Sequence, residues 1–203
     1  MKSIKSNLYN QLSIKRSIFH TYCFQVHSLE MVEEYLHEIK TKHPDANHHC
    51  FAYILDKQTI QKYDDDGEPS NTAGLPMIEA LKRYDLTDIL CIVVRYFGGI
   101  KLGGGGLIRA YAKSVSQVLQ LATFTVLTPV SLLKIMTPLA TGGKYENFIR
   151  EHTHFIRTEY ENDCMIYYVE IIKDHYETFA LALTNYTFGQ AKITIIKDIE
   201  TFM

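Results

Sequence analysis

Residues 89–111 read ILCIVVRYFGGIKLGGGGLIRAY, and they decide the fold of the first part of the chain. The run from Ile89 to Val94 is entirely apolar, which is typical of a strand buried on both faces of a sheet. Six glycines follow within the nine positions 98–106, and apolar residues then recur at helical spacing from Leu107 to about residue 122. The stretch therefore predicts a central strand, a glycine-rich turn and a long helix.

Patterns on the N-terminal side of this stretch complete an α/β (α+β) domain. Runs of β-forming residues and apolar residues at helical spacing indicate its elements. We expect strands at 18–26, 49–55 and 59–63 and helices at 29–42 and 76–84. Ser28 is the expected N-cap of the first helix, and Pro76 suits the first turn of the second. The hydroxyls of Ser70 and Thr72 are expected to cap that second helix.

The pattern changes after Phe124 and predicts a second, smaller domain. Its expected elements are strands at 130–136, 155–160, 165–172 and 191–196, a helix at 142–152, and a second helix that Asp174 caps and Gly189 ends. The order is βαββαβ, which is typical of a ferredoxin-like domain. We therefore expect two domains, at residues 1–126 and 127–203.

Composition and charge restrict the class of protein. The net charge is −2. Residues 1–126 contain 14 Lys and Arg against 13 Asp and Glu, and the remaining residues contain 7 against 10. Neither part has the excess of positive charge that a general nucleic-acid binder carries. No apolar run is long enough for a membrane helix, and residues 1–15 lack the apolar core of a secretion signal. The cysteines are unpaired in sequence, so we expect buried free thiols in a cytoplasmic protein. They are Cys23, Cys50, Cys91 and Cys164.

The glycine-rich stretch suggests an anion site. A strand, a glycine loop and a helix N-terminus present free N–H groups and the positive end of the helix dipole. The candidate phosphate-binding or RNA-binding residues are Arg95, Gly98, Gly99, Lys101, Gly103, Gly104, Gly105, Gly106 and Arg109. Two alternatives stay open, namely glycines required for a tight crossover and a surface for a protein partner. The stretch lacks the GxxxxGK[ST] pattern of a P-loop, and a dinucleotide-binding pattern matches it only weakly.

An acidic loop precedes the helix at Pro76, with four carboxylates in the five positions 64–68. Carboxylates can bind Mg²⁺ or act as general bases, and Asp65, Asp66 and Glu68 are the candidates for a metal. The alternative is a solvated turn. The spacing excludes an EF-hand, and no local signature of a catalytic nucleophile is present. The residues identify no catalytic centre, and a binding protein is favoured over an enzyme.

Taken together, the two loops resemble the signature of the YigZ/IMPACT family over about residues 16–122. The resemblance begins with the strand HHCFAY at 48–53 and ends with VRYFGGIKLG at 94–103 and GGLIRAY at 105–111. The positions of the acidic loop and the preceding strand that match the family motif are His48, Asp65, Asp66, Gly67, Glu68, Pro69, Ser70, Thr72 and Gly74. Asn71 stands where the family usually has Gly, but Asn tolerates the left-handed conformation that such a loop needs.

The resemblance implies a fold and a setting. The first domain would resemble the second domain of a small-subunit ribosomal protein, and the second domain would resemble a domain of elongation factor G. Eukaryotic relatives regulate translation through a protein partner, and bacterial members are suspected of binding nucleic acid. We therefore expect a translation-associated protein whose partner is RNA, the ribosome or another protein, with no membrane and no cofactor beyond an optional Mg²⁺. The alternatives are an enzyme acting on a phosphorylated small molecule and a pure protein-interaction module.

Overall fold

Two antiparallel sheets and five α-helices make up the chain, and the computed structural model describes all 203 residues. Contacts divide the chain into two units, Met1–Val126 and Leu127–Met203. This arrangement confirms the expected α+β class, and each unit is described by itself.

The first unit is built on a five-stranded sheet in the order β2-β3-β6-β4-β5, with every neighbouring pair antiparallel. The strands are β2 (Leu8–Ile14), β3 (Ser17–Gln25), β4 (His48–Leu55), β5 (Ile60–Asp64) and β6 (Ile89–Tyr96). The central strand β6 is buried from Ile89 to Arg95, as its apolar run predicts. A short strand, β1 (Lys2–Ile4), pairs outside this sheet with residues 124–126.

Helices cover both faces of this sheet. They are α1 (Leu29–Lys42), α2 (Gly74–Arg83) and α3 (Gly104–Leu119). Ser28 accepts a hydrogen bond from the Met31 N–H at 3.3 Å, so the expected cap of α1 is confirmed. Cys91 and Val93 of β6 belong to the core that also holds α2 and α3, whereas Leu90 and Ile92 belong to the core under α1. A strand that faces two cores has no polar face, because successive side chains point to opposite sides.

The sequence patterns did not predict the two strands before residue 15, β1 and β2. In β2 the half-buried positions alternate with exposed ones, and Leu8, Leu12 and Ile14 pack against the rim of the core. The strand lies at the edge of the sheet and mixes these residues with Asn10 and Gln11. Three apolar residues among polar ones are too few for a clear period of two, and only pairing with β3 decides the conformation.

The second unit has the order βαββαβ. Its elements are β7 (Phe124–Pro138), of which residues 124–126 belong to the first unit, α4 (Leu139–His152), β8 (His154–Glu161), β9 (Cys164–Ile172), α5 (Tyr176–Tyr186) and β10 (Lys192–Phe202). The strands are antiparallel in the order β10-β7-β9-β8, which is the ferredoxin-like arrangement that the element order predicts. Strands β7 and β10 are longer than expected, because they pair with each other over most of their length.

The ends of α5 test two smaller predictions. Gly189 has a φ of +76°, and its N–H donates to the Thr184 carbonyl at 2.8 Å, so it ends the helix as expected. The predicted cap by Asp174 is wrong. Asp174 lies in a 3₁₀ turn, Lys173–His175, and no side chain caps α5.

The cysteines are free thiols, of which Cys23, Cys50 and Cys91 are buried and Cys164 is half-buried. No helix is long and apolar enough to span a membrane.

Candidate functional site

The glycine-rich stretch places an uncapped helix N-terminus at the end of β6. Gly103 is the N-cap of α3 with a φ of +75°, and no side chain accepts a hydrogen bond from the first turn. The first intrahelical bond runs from the Leu107 N–H to the Gly103 carbonyl at 2.9 Å. The N–H groups of the first turn, Gly104 to Gly106, therefore have no partner within the helix. None of these three glycines has a side chain that could cover the free N–H groups.

Gly98 has a different role, because it packs against the turn between β2 and β3. A Cβ at Gly98 would lie 2.0 Å from the carbonyl carbon of Arg16 and 2.5 Å from the nitrogen of Ser17. Its N–H donates to the Ser17 hydroxyl at 3.2 Å. This close packing is what the tight-crossover alternative expects of Gly98. Gly99 has a φ of +83° with nothing near its missing Cβ, so only its backbone conformation favours glycine.

Asp65 of the acidic loop caps α2. Its Oδ1 atom accepts hydrogen bonds from the N–H groups of Ala73 at 2.9 Å and Gly74 at 2.8 Å. Its Oδ2 atom accepts from the Asn71 N–H at 2.7 Å. The prediction that Ser70 and Thr72 cap this helix is wrong, because the Thr72 hydroxyl donates to the Pro69 carbonyl and no hydroxyl caps α2. Asp65 is eight residues from the N–H of Ala73, which is beyond the reach of a local capping rule.

Asp66 and Gly67 close the loop onto the start of β4. The Asp66 carboxylate accepts from the His49 N–H at 2.6 Å, and its carbonyl lies 2.8 Å from Nδ1 of His48, which donates to it. Gly67 has a φ of +84°, and Asn71 adopts the expected left-handed conformation with a φ of +61°. Asp65 and Asp66 are therefore both occupied by backbone groups of the loop and of β4.

Glu68 joins the two loops. It is buried, and its Oε1 atom accepts from Nη1 of Arg95 at 2.5 Å and from the Tyr111 hydroxyl at 2.8 Å. Its Oε2 atom lies 3.9 Å from Nε2 of His48. The Cys50 thiol lies 3.4 Å from the Tyr111 hydroxyl, and burial raises the pKa of both groups far above their ordinary values.

The three candidate metal ligands of the acidic loop do not form one cluster in the structure. Asp65, Asp66 and Glu68 serve three different sets of partners, and no group of three or more His, Cys, Asp or Glu side chains is placed to hold a metal ion. The alternative of a solvated turn describes only part of the loop, since Ser70 is exposed but Thr72 and Gly74 are buried. A Cβ at Gly74 would lie 2.8 Å from the Tyr63 ring, so this motif glycine is required by packing.

Where the two loops meet, they line a cleft of about 330 Å³, which we call the glycine cleft. It is lined by Glu68, Pro69, Arg95, Phe97, Lys101, Leu102, Gly103, Gly104 and Leu107. Its walls are largely apolar, and the N-terminus of α3 opens into it. Arg95 is 5% exposed, and its Nε atom is buried without a hydrogen-bond partner, which leaves one donor unsatisfied inside the protein.

The three predicted cations are not equivalent. Arg95 is neutralised by Glu68, with its guanidinium 5.5 Å from the ring centroids of both Phe19 and Phe97. Lys101 is exposed in the glycine cleft and is in no ion pair. Arg109 lies outside that cleft, in a neighbouring groove that also touches Gly106.

Sequence reasoning missed two contributors to the cleft. Ser17 is buried and bonds both Gly98 and Arg95, at 3.2 and 3.3 Å. Phe97 forms one wall and is 45% exposed. A large aromatic residue directly before a glycine loop is a signal that the sequence offers for Phe97, whereas nothing local distinguishes Ser17, which is 78 residues from Arg95 in the chain.

Comparison with known proteins agrees with these motifs. Residues 15–119 match the family model of the Impact N-terminal domain. The chain belongs to the IMPACT family. The matched residues include β3 to β6, α1, α2 and α3, and so contain both loops of the glycine cleft.

Relatives extend the IMPACT assignment beyond the first unit. The chain is 35% identical to the IMPACT family member YvyE of Bacillus subtilis over 185 residues, which is 91% of this chain and 85% of that protein. It is 42% identical to an IMPACT family member of Haemophilus influenzae and 39% identical to YigZ of Escherichia coli, over 65% and 59% of those proteins. The crystal structure of a hypothetical protein, 28% identical, superposes over 97% of both chains with a TM-score of 0.61.

Proposed function

We propose that this IMPACT-family chain is a translation-associated binding protein that contacts a phosphate of RNA or of the ribosome through the glycine cleft. The observation that carries the proposal is the first turn of α3, where three consecutive glycines carry uncapped N–H groups beside the unpaired Lys101. N–H groups at a helix N-terminus are well suited to phosphate oxygens. Chains named Protein IMPACT homolog in Dictyostelium discoideum and Schizosaccharomyces pombe, 34% and 33% identical over 44% of this chain, link it to the eukaryotic branch.

The charges of the glycine cleft favour an anion. Glu68 is its one carboxylate, and Arg95 neutralises it within the protein. Lys101 then remains as the uncompensated charge, and the helix dipole adds to it.

Co-sedimentation with ribosomes tests this proposal. The wild-type chain should pellet with ribosomes at low salt and stop doing so between about 50 and 200 mM salt, as phosphate binding does. Lys101→Gln should stay in the supernatant. Gly104→Pro should do the same, because proline fits the first position of a helix but removes the N–H.

The matched control for Lys101→Gln is Lys62→Gln, which removes the same charge from an exposed position outside the glycine cleft. It should pellet like the wild type. Equal pelleting of all four proteins, or of none of them, would contradict the proposal. Pelleting that survives high salt would instead indicate binding to a ribosomal protein.

The size of the cleft favours a second candidate, an enzyme or binding protein for a phosphorylated small molecule. About 330 Å³ with apolar walls is at the lower end of the range of small-molecule sites. A thermal-shift screen of nucleotides, with and without Mg²⁺, distinguishes the two. A large increase in Tm with one mononucleotide, together with no ribosome binding, would favour this candidate.

A further inference from the structure

A second groove lies beside the glycine cleft, and Leu102 lines both of them. It has a volume of about 240 Å³, and we call it the basic groove. Its lining residues are Ile14, Lys15, Leu102, Gly106, Arg109, Ala110 and Lys113. Three of the seven are cations and none is acidic, in a chain whose overall charge is −2.

The three cations converge from two elements and are all exposed. Arg109 and Lys113 are one turn apart on α3, so they share a face of that helix. Nη1 of Arg109 lies 3.6 Å from the position of a Cβ at Gly105, which brings its guanidinium back over the first turn. No ion pair of the protein involves Lys15, Arg109 or Lys113, so their charge is available to a ligand.

The turn that places Lys15 in the groove has a backbone conformation that lysine and arginine do not favour. Lys15 and Arg16 form the two-residue connection between β2 and β3, and both have positive φ, at +46° and +66°. Such turns normally take Asn and Gly, because other side chains are strained at positive φ. Gly98 packs directly on this turn and keeps it beside the glycine-rich stretch. Two cations thus occupy strained positions next to the candidate anion site.

We propose that the basic groove binds a second phosphate of the same ligand, which is a single-stranded polynucleotide whose successive phosphates lie on the two sides of Leu102. The inference rests on the proposed function, since the first phosphate is the one in the glycine cleft. A ligand with one phosphate would leave Lys15, Arg109 and Lys113 without a role. Phe97, exposed in the cleft, offers a face on which an unpaired base stacks, as in other single-strand binders.

Fluorescence anisotropy with a labelled oligoadenylate octamer tests the inference on the full chain. The double variant Lys15→Gln/Lys113→Gln should bind roughly tenfold more weakly at low salt. Its plot of log K against log salt should be shallower by about 0.7 for each phosphate that the variant no longer neutralises. The inhibition constant of AMP, whose single phosphate would occupy only the glycine cleft, should be unchanged in this variant. The matched control is Lys40→Gln/Lys62→Gln, which removes the same charge from exposed positions that line neither groove.

The outcomes separate this inference from the proposed function. If Lys101→Gln weakens octamer binding while Lys15→Gln/Lys113→Gln equals its control, the basic groove is refuted and the glycine cleft stands. If the wild type binds no octamer, the RNA form of the proposed function and this inference both fall. Equal affinity for a duplex of the same length, or for an oligoglutamate peptide, would overturn the assignment of a single strand.

Discussion

Nη1 of Arg95 donates to Oε1 of Glu68 at 2.5 Å, in a pair whose side chains are 6% and 3% exposed. This contact ties the end of β6 to the acidic loop, and the Tyr111 hydroxyl on the same oxygen adds α3 to the junction. The most prominent positive and negative residues of the two motifs therefore neutralise each other inside the protein. What they leave for a ligand is the helix N-terminus, Lys101 and the cations of the basic groove.

Glu68→Gln should destabilise the first unit strongly. The substitution leaves the buried Arg95 without its counter-charge, and breaking a buried ion pair in this way lowers the free energy of unfolding by about 3 kcal/mol. Urea unfolding followed by circular dichroism measures the decrease. Glu79→Gln, which removes an exposed pair with Lys82, should change the free energy of unfolding by less than about 0.5 kcal/mol. Equal effects of the two variants would mean that the buried pair contributes no more to the free energy of unfolding than an exposed pair does.

Neighbouring glycines should respond very differently to alanine. Gly98→Ala places a Cβ within 2.0–2.5 Å of the backbone of Arg16 and Ser17, so the turn before β3 must move, and we expect a destabilisation above about 3 kcal/mol. Gly99→Ala meets no atom within 4 Å and suffers only from its φ of +83°, which costs about 1 kcal/mol. Thermal unfolding of the two variants gives the comparison. A larger effect of Gly99→Ala would show that backbone conformation, not close packing, decides this stretch.

Removing the cap of α2 gives a third test. Asp65→Ala leaves three N–H groups without an acceptor and should lower the free energy of unfolding by about 2 kcal/mol. Ser70→Ala should change it by less than about 0.5 kcal/mol, since Ser70 is exposed and does not cap the helix. Urea midpoints of both variants measure this. The reverse order would restore the capping role that local sequence rules assign to Ser70.

Most elements of the fold are predictable from the sequence, because burial imposes a periodic pattern on it. The apolar run of β6 reflects two cores, and the βαββαβ order of the second unit follows from alternating short patterns. Edge strand β2 is the exception, since half-buried residues at every second position leave too weak a signal. The capping of α2 is a second exception, because a local rule predicts caps at Ser70 and Thr72 and misses the distant Asp65.

The candidate site, like the fold, is only partly predictable from the sequence. Its glycines and acidic residues are visible as motifs, but their roles depend on partners far along the chain. Glu68 and Arg95 are 27 residues apart, and Ser17 and Gly98 are 81 residues apart. Residue types alone leave open whether Glu68 binds a metal or forms a salt bridge to a cation of the glycine-rich stretch, and only the tertiary contact shows that it pairs with Arg95. Lys15 and Lys113 carry no motif and are recognised only through the groove that they line.

Stability of the first unit should fall as the pH drops below about 6.5, and His43 is one cause. Its ring is held between the hydroxyls of Tyr22 and Tyr96, at 2.8 and 2.9 Å. Burial, followed by the nearby His20, Lys42 and His49, lowers the pKa of His43 below its ordinary value of 6.5. The unfolded chain then takes up a proton at a higher pH than the folded one, so the contribution is complete above pH 6.5 and disappears towards lower pH.

Urea midpoints of the wild type between about pH 5 and pH 7.5 should therefore rise with pH. His43→Gln should be less stable at about pH 7.5 but show a flatter dependence, because the titrating group is gone. His20 adds a component in the same direction, since burial and Lys42 lower its pKa as well. His27→Gln, at an exposed position, is the control and should keep the wild-type slope. A slope in His43→Gln as steep as that of the wild type would exclude His43 as the source.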